Sequence, residues 1–172
     1  VLRELLITMG GVDKDNATGQ VLQALRTCFL PADCRITVVM GAMAPWLREV
    51  RTQAEDMPLA TRVLVGVTDM AQLMADSDLA IGAAGTTSWE RCCLGLPTIM
   101  LVLAENQRMV ANGLERAGGV RLIQLAQITT AKLRELLFTV VNDPAQLLLM
   151  SDCAANIVDG SGVDAVIRLV EG

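Results

Sequence analysis

Six short apolar runs punctuate the chain, at Leu5–Met9, Arg35–Met40, Arg62–Gly66, Leu79–Gly82, Thr98–Leu103 and Arg121–Gln124. Each is brief, rich in β-formers and closed by glycine or a polar cluster, the pattern of strands buried on both faces of a parallel sheet. Between them the period changes. Val21, Leu22, Leu25, Cys28 and Phe29 fall on one helical face, and Met109, Val110, Leu114 and Ala117 form another. Gly95 with Pro97, and then Gly118-Gly119, are helix stops. After the sixth run the pattern is wholly helical: Thr129–Val141, then Pro144–Ile157 behind Asp143, then a last helix after Asp159-Gly160-Ser161-Gly162. No internal repeat or linker interrupts the series.

Six strands with intervening helices predict an α/β fold, a doubly wound six-stranded parallel sheet of Rossmann-like form. Right-handed crossovers favour the strand order 3-2-1-4-5-6, in which strands 1 and 4 lie side by side where the winding reverses. Ligands bind outside the carboxyl ends of the strands at such a switch point. The informative loops are therefore those after strands 1, 4 and 5.

Composition narrows the chemistry. The 172 residues suit one domain, and with 52% hydrophobic and 19% charged residues the chain is no candidate for disorder. There is no His and no Tyr, which excludes Ser-His-Asp and Cys-His catalysis and any His-ligated metal within this chain. A net charge of −5 and four aromatic residues, two Phe and two Trp, argue against a nucleic-acid partner. The longest uncharged run, Cys92 to Ala104, is 13 residues, short of the roughly 20 a membrane span needs. The odd set of five cysteines lacks paired C-x-x-C spacing and reads as reduced, buried thiols of a cytoplasmic protein. The start at Val1, almost directly on a strand and without an initiator Met, suggests a fragment of something longer.

After strand 1 the chain runs Gly10-Gly11-Val12-Asp13-Lys14-Asp15-Asn16-Ala17-Thr18 into a helix. Two glycines and a helix start suit a phosphate; equally, this is a tight turn capped by Asn16 or Thr18. Asp13 and Asp15 would repel an anion and must point away or bind something else; they are the only plausible Mg²⁺ ligands. No metal or other cofactor is expected. Asp33 lies about twenty residues on, where a dinucleotide fold keeps its ribose-binding acid, but the third glycine of that fingerprint is missing. After strand 4 comes Gly82-Ala83-Ala84-Gly85-Thr86-Thr87-Ser88-Trp89-Glu90-Arg91. Small residues and then hydroxyls precede a helix start that can accept an anion, with Thr86, Thr87 and Ser88 as donors. Trp89, Cys92 and Cys93 share a face and should pack inward. Glu90 either complements the helix dipole or accepts two hydrogen bonds from vicinal ribose hydroxyls. After strand 5, Ala104-Glu105-Asn106-Gln107-Arg108 either reads the hydroxyl and acetamido groups of a sugar or is a helix start capped by Asn106. Three such loops on one switch point favour a nucleotide-sugar ligand.

Thr8-Met9-Gly10-Gly11-Val12-Asp13, Val67-Thr68-Asp69-Met70, Gly82 to Arg91, Gly95-Leu96-Pro97 and Ala104-Glu105-Asn106-Gln107, with the Asp159-Gly160-Ser161-Gly162 element, resemble a known family. It is the C-terminal half of the pseudaminic acid pathway's UDP-2,4-diacetamido-2,4,6-trideoxy-β-L-altropyranose hydrolase, together with the spore-coat polysaccharide biosynthesis proteins. The chain is more distantly similar to the peptidoglycan N-acetylglucosaminyltransferase. The resemblance implies the C-terminal half of a GT-B fold. It implies that Glu90 binds the UDP ribose, Gly85, Thr86 and Thr87 the diphosphate, and the Val67 backbone the uracil. Glu105, Asn106 and Gln107 would face the sugar, and Gly10, Gly11 and Asn16 would border the cleft toward an N-terminal domain. That family's catalytic His lies in the N-terminal half. The expectation is thus the UDP-binding half of a nucleotide-sugar hydrolase, inactive alone and partnered by its own N-terminal domain. The alternatives are the donor half of a UDP-sugar glycosyltransferase and a non-catalytic nucleotide-sugar-binding module.

Overall fold

The computed structural model describes residues 2–124, 126 and 130–158. Its elements run β1 (Glu4–Thr8), α1 (Ala17–Leu25), β2 (Arg35–Met40), α2 (Leu47–Glu55), β3 (Thr61–Val65), α3 (Met70–Ala75), β4 (Leu79–Ala83), α4 (Thr87–Cys93), β5 (Thr98–Val102), a 3-10 turn (Glu105–Gln107), α5 (Arg108–Arg116), β6 (Val120–Gln124), α6 (Thr130–Val141) and α7 (Pro144–Ile157). The six strands form one sheet in the order β3-β2-β1-β4-β5-β6, and every neighbouring pair is parallel. The order expected from right-handed crossovers is the one observed. The last expected helix and the Asp159-Gly160-Ser161-Gly162 element lie outside the described residues.

Strand alternation sorts the core into two layers. Leu5 and Ile7, Ile36 and Val38, Ile81, and Ile99 and Leu101 face one side and meet Val21, Leu22 and Leu25 of α1, Val50 of α2, and Leu133, Leu137 and Val140 of α6. On the other side Leu6 and Ala80 meet Met74 of α3 and Leu96. Further along that face, Met100 and Val120 meet Cys92, Ala111, Leu114 and Ala154. At about 25 cal/mol per Å² of apolar surface removed from water, each fully buried Leu or Ile contributes roughly 1.5–3 kcal/mol. α4 ends as the Gly95 and Pro97 signal requires: Gly95 takes φ +63°, its N–H donates to the Cys92 carbonyl at 2.9 Å, and the Leu96 N–H reaches Arg91 O at 2.9 Å. These two bonds satisfy carbonyls left free at the helix end.

Three expected helix faces are corrected. α1 stops at Leu25, where the Cys28 N–H turns back to the Leu25 carbonyl at 3.1 Å, so Phe29 leaves the helix and is 76% exposed. In α5 the buried pair is Ala111 and Leu114, whereas Met109 is 84% exposed. The chain enters α5 through a 3-10 turn, which advances by a different angle per residue and resets the phase. In α4 the inward face is Ser88, Arg91 and Cys92, while Trp89 and Cys93 are exposed. The cysteines are all free, but only Cys34 and Cys92 are buried. Burial, with the carboxylates of Glu4, Asp78 and Asp33 nearby, pushes the Cys34 thiol up to about 11, which leaves it protonated and unreactive at neutral pH.

Candidate functional site

The register brings the three loops together. Thr8 pairs with Gly82, and Ala83 with Leu101, so the segments leaving β1, β4 and β5 emerge side by side at the carboxyl edge of the sheet. Val67, half-buried, follows the edge strand β3. Three strand spacings of roughly 4.8 Å separate β3 from β4, about 14 Å in all. The sheet therefore holds Val67 on the same edge as the other residues but not beside them.

In the first loop the helix start is already occupied. Asp13 is buried, with φ +45°, and its carboxylate accepts the N–H groups of Ala17 at 2.8 Å and Thr18 at 2.9 Å. Asn16, with φ +52°, accepts from the Gly19 N–H at 3.0 Å. A phosphate has neither free donors nor a favourable charge at α1, which corrects the phosphate reading of this loop. It is a capped turn, with Asp13 doing more of the capping than either Asn16 or Thr18 alone. Gly10 and Gly11 are exposed at its rim. Two residues not anticipated from the sequence brace it. The indole of Trp46 donates to the Lys14 carbonyl at 2.9 Å, and a Cβ on Gly41 would run into the Gly11 carbonyl.

The second loop is built differently. Gly85 has open space around it, Thr86 is exposed, Thr87 half-buried and Ser88 buried. α4 starts without a side-chain cap, and Gly82 to Ser88 contains no carboxylate. Glu90 is exposed in the first turn. Beneath the loop lies Arg91, fully buried. Its Nη2 donates to the Ala83 carbonyl at 2.7 Å and to Ser88 Oγ at 3.3 Å, and its Nη1 donates to Thr87 Oγ1 at 3.3 Å. Its Nε has no hydrogen-bond partner. Among the described residues no carboxylate forms an ion pair with it. Burial lowers its pKa to about 10, so it remains a cation at neutral pH. Gly82 makes the room: a Cβ there would stand 2.5 Å from Arg91 Nη1 and 3.1 Å from the Thr8 carbonyl. The sequence carried a signal for this residue in the glycine nine positions before an arginine, but only folding puts the two in contact.

In the third loop, Glu105 and Asn106 are exposed and Gln107 is half-buried. Gln107 Oε1 accepts the Leu103 N–H at 3.3 Å, and Glu105 pairs with Arg108 at 3.1 Å. Asn106 caps nothing: the 3-10 turn is entered from Ala104 and α5 from Gln107, neither with a side-chain cap. A shallow cavity of about 190 Å³ opens between this loop, Val102, Gln124 and Ala126.

A larger cavity, about 740 Å³, lies at the opposite end of the sheet among Arg3, Glu4, Arg35, Arg62, Asp76 and Asp78. Arg35 pairs with Glu4 there, and Asp78 accepts the backbone N–H groups of Arg3 and Glu4 at 2.7 and 2.9 Å. Asp33 also stands at this end, 3.7 Å from Arg3, too far from the switch point to hold a ribose there. Among the described residues no three His, Cys, Asp or Glu side chains gather as a metal site, and no helix is long and apolar enough to cross a membrane.

Residues 5–163 match the glycosyltransferase family 28 C-terminal domain. The chain belongs to that family. It is 26% identical over 171 residues to the spore coat polysaccharide biosynthesis protein SpsG of Bacillus subtilis, covering 98% of this chain and 50% of that protein. It is 27% identical over 158 residues to the UDP-N-acetylglucosamine–N-acetylmuramyl-(pentapeptide) pyrophosphoryl-undecaprenol N-acetylglucosamine transferase of Chelativorans sp., covering 88% of this chain and 42% of that enzyme. Among solved structures, MurG of Acinetobacter baumannii superposes with a TM-score of 0.84 at 23% identity, over 99% of this chain and 50% of MurG. The family 28 domain thus spans about half the length of these relatives, and its sheet is that of a GT-B C-terminal half. It is a C-terminal domain of the glycosyltransferase-like kind. The expectation of a UDP-sugar hydrolase is overturned, because the family and the related enzymes are transferases. The comparisons carry the likeness to the spore coat protein and the transferases; the likeness to the pseudaminic acid enzyme is not confirmed.

Proposed function

We propose that this chain is the donor-binding half of a glycosyltransferase that uses a UDP-sugar. The observation that carries the reading is the β4–α4 loop. At the switch point of a family 28 domain it offers hydroxyls, open backbone and a buried cation that no carboxylate ion-pairs among the described residues, beside a loop bearing Glu105 and Asn106. In this reading Gly85, Thr86 and Thr87 hold the diphosphate, with Ser88 buried beneath them, and Glu90 accepts the two ribose hydroxyls. The Val67 backbone meets the uracil, and Glu105, Asn106 and Gln107 face the sugar. Gly10, Gly11 and Asn16 border the cleft, and the remaining half of the protein supplies the acceptor site. Transfer breaks the bond between the anomeric carbon and the diphosphate, so negative charge grows on the leaving UDP. Donors already aimed at that oxygen stabilise the transition state more than the ground state.

Glu90 is the residue to test. Hydrogen bonds to a charged acceptor are worth about 1.5–3 kcal/mol each before competition from water. Glu90→Ala should therefore weaken UDP binding by roughly 1.5–3 kcal/mol, on the order of 10- to 150-fold. A residue that only complements the dipole would cost about 0.3–1 kcal/mol of stability and leave affinity alone. Calorimetric titration of UDP and 2′-deoxy-UDP into both proteins separates the two. Equal binding of the two nucleotides by the wild type would remove Glu90 from the site.

A further inference from the structure

We propose that Arg91 is a positioning residue for the anionic part of the ligand: its buried guanidinium, held under the β4–α4 loop, turns the Thr87 hydroxyl outward as a donor. The inference rests on the diphosphate reading above and adds to it a residue that the ligand does not touch.

A fully buried arginine ordinarily has a carboxylate opposite it, because an uncompensated charge in the interior is costly. Arg91 has none in ion-pair contact among the described residues. Its partners are a carbonyl and two hydroxyls, all neutral: the carbonyl ends β4, and the hydroxyls of Thr87 and Ser88 stand at the start of α4, where the diphosphate is proposed to lie. The direction of these bonds matters. A guanidinium only donates, so Thr87 Oγ1 and Ser88 Oγ must accept from it. Each hydroxyl proton is then committed elsewhere. Ser88 is buried, whereas Thr87 is half-buried and stands at the start of α4. The Thr87 proton can therefore point toward the open side of the loop. A hydroxyl that accepts from a cation is also polarised into a stronger donor. The bond from Nη2 to the Ala83 carbonyl, at 2.7 Å, fixes the end of β4 from which the loop departs. Gly82 leaves the space in which the guanidinium lies. Thr86, exposed and outside these bonds, does not share the arrangement.

Lysine carries the same charge but cannot donate from a planar fork to Ala83 and Thr87 together. The test compares the affinities of UDP, UMP and uridine for the whole protein as wild type, Arg91→Lys, Arg91→Met, Thr87→Val and Arg91→Lys/Thr87→Val, with a thermal melt of each. Wild type should bind UDP more tightly than uridine. Arg91→Lys should weaken UDP by about tenfold, one charge-assisted hydrogen bond, and leave uridine within about twofold on the same scale. Thr87→Val should do the same, and the double variant should be little worse than either single one, since both remove one path. If Arg91→Met melts below the assay temperature, Arg91→Lys and the double-variant comparison decide. Equal weakening of UDP and uridine, or fully additive losses, would make Arg91 a packing residue and overturn the proposal while the UDP reading stands. A wild type that does not prefer UDP to uridine would overturn both.

Discussion

The loops after β1 and β4 begin alike and end as opposites. Both leave central strands that pair directly, Thr8 with Gly82, and both are glycine-containing turns into a helix. In the first, Asp13 and Asn16 fold back in left-handed backbone and fill the N–H groups of α1. In the second, no side chain caps α4, and the nearest buried charge is the cation of Arg91. Glycines followed by a helix therefore do not make an anion site. What separates the two loops is that the first has supplied its own carboxylate to its helix start.

That contrast can be attacked first through its glycines. Gly82→Ala should destabilise the fold by about 2–3 kcal/mol, because the new methyl meets both the Arg91 guanidinium and the Thr8 carbonyl. Gly85→Ala, with open space around it, should stay within about 0.5 kcal/mol. Urea unfolding of both variants measures the gap; equal midpoints would mean that Arg91 is not confined as described.

Asp13→Ala should cost about 2 kcal/mol of stability through two lost cap bonds, with UDP affinity unchanged in the folded protein. Tighter UDP binding in that variant would show that α1 can serve as a second anion site once its carboxylate is gone, and would erase the contrast.

The smallest pair compares the caps themselves. Asn16→Ala should lower stability by about 1 kcal/mol, since its side chain accepts the Gly19 N–H. Thr86→Ala should change stability by no more than about 0.3 kcal/mol, because Thr86 makes no cap bond. Melting curves of the two variants test this, and a Thr86→Ala loss as large as that of Asn16→Ala would show that α4 is capped after all.

Much of the frame was legible residue by residue. The strands were found within one residue at either end, because their apolar runs are short and bounded. Asp143 before Pro144 announced α7, and its carboxylate does accept the Ala145 N–H at 3.0 Å. The site was legible as three loops but not as their contents. Asp13 was expected to point away from an anion or to bind something else, and it binds the helix N–H groups that a phosphate would have used. Nothing in the hydrophobic pattern singles out Arg91, since an arginine is rarely buried, and the expected inward face was Trp89, Cys92 and Cys93.

Strand number and order, the two-layer packing and the position of the switch point are thus determined by the sequence, since they follow from the hydrophobic period, which acts over a few residues, and from the right-handedness of each strand–helix–strand crossover. Which helix face turns inward at α4 and α5, which helix start is closed and where the buried cation lies were decided only by tertiary structure. Those features depend on partners distant in space or on backbone geometry: Arg91 needs the missing Cβ of Gly82 and the Ala83 carbonyl, and Asp13 needs a left-handed turn braced by Trp46 and Gly41. A polar group's role is set by what satisfies its hydrogen bonds, and folding alone brings those partners within 3 Å or so of it.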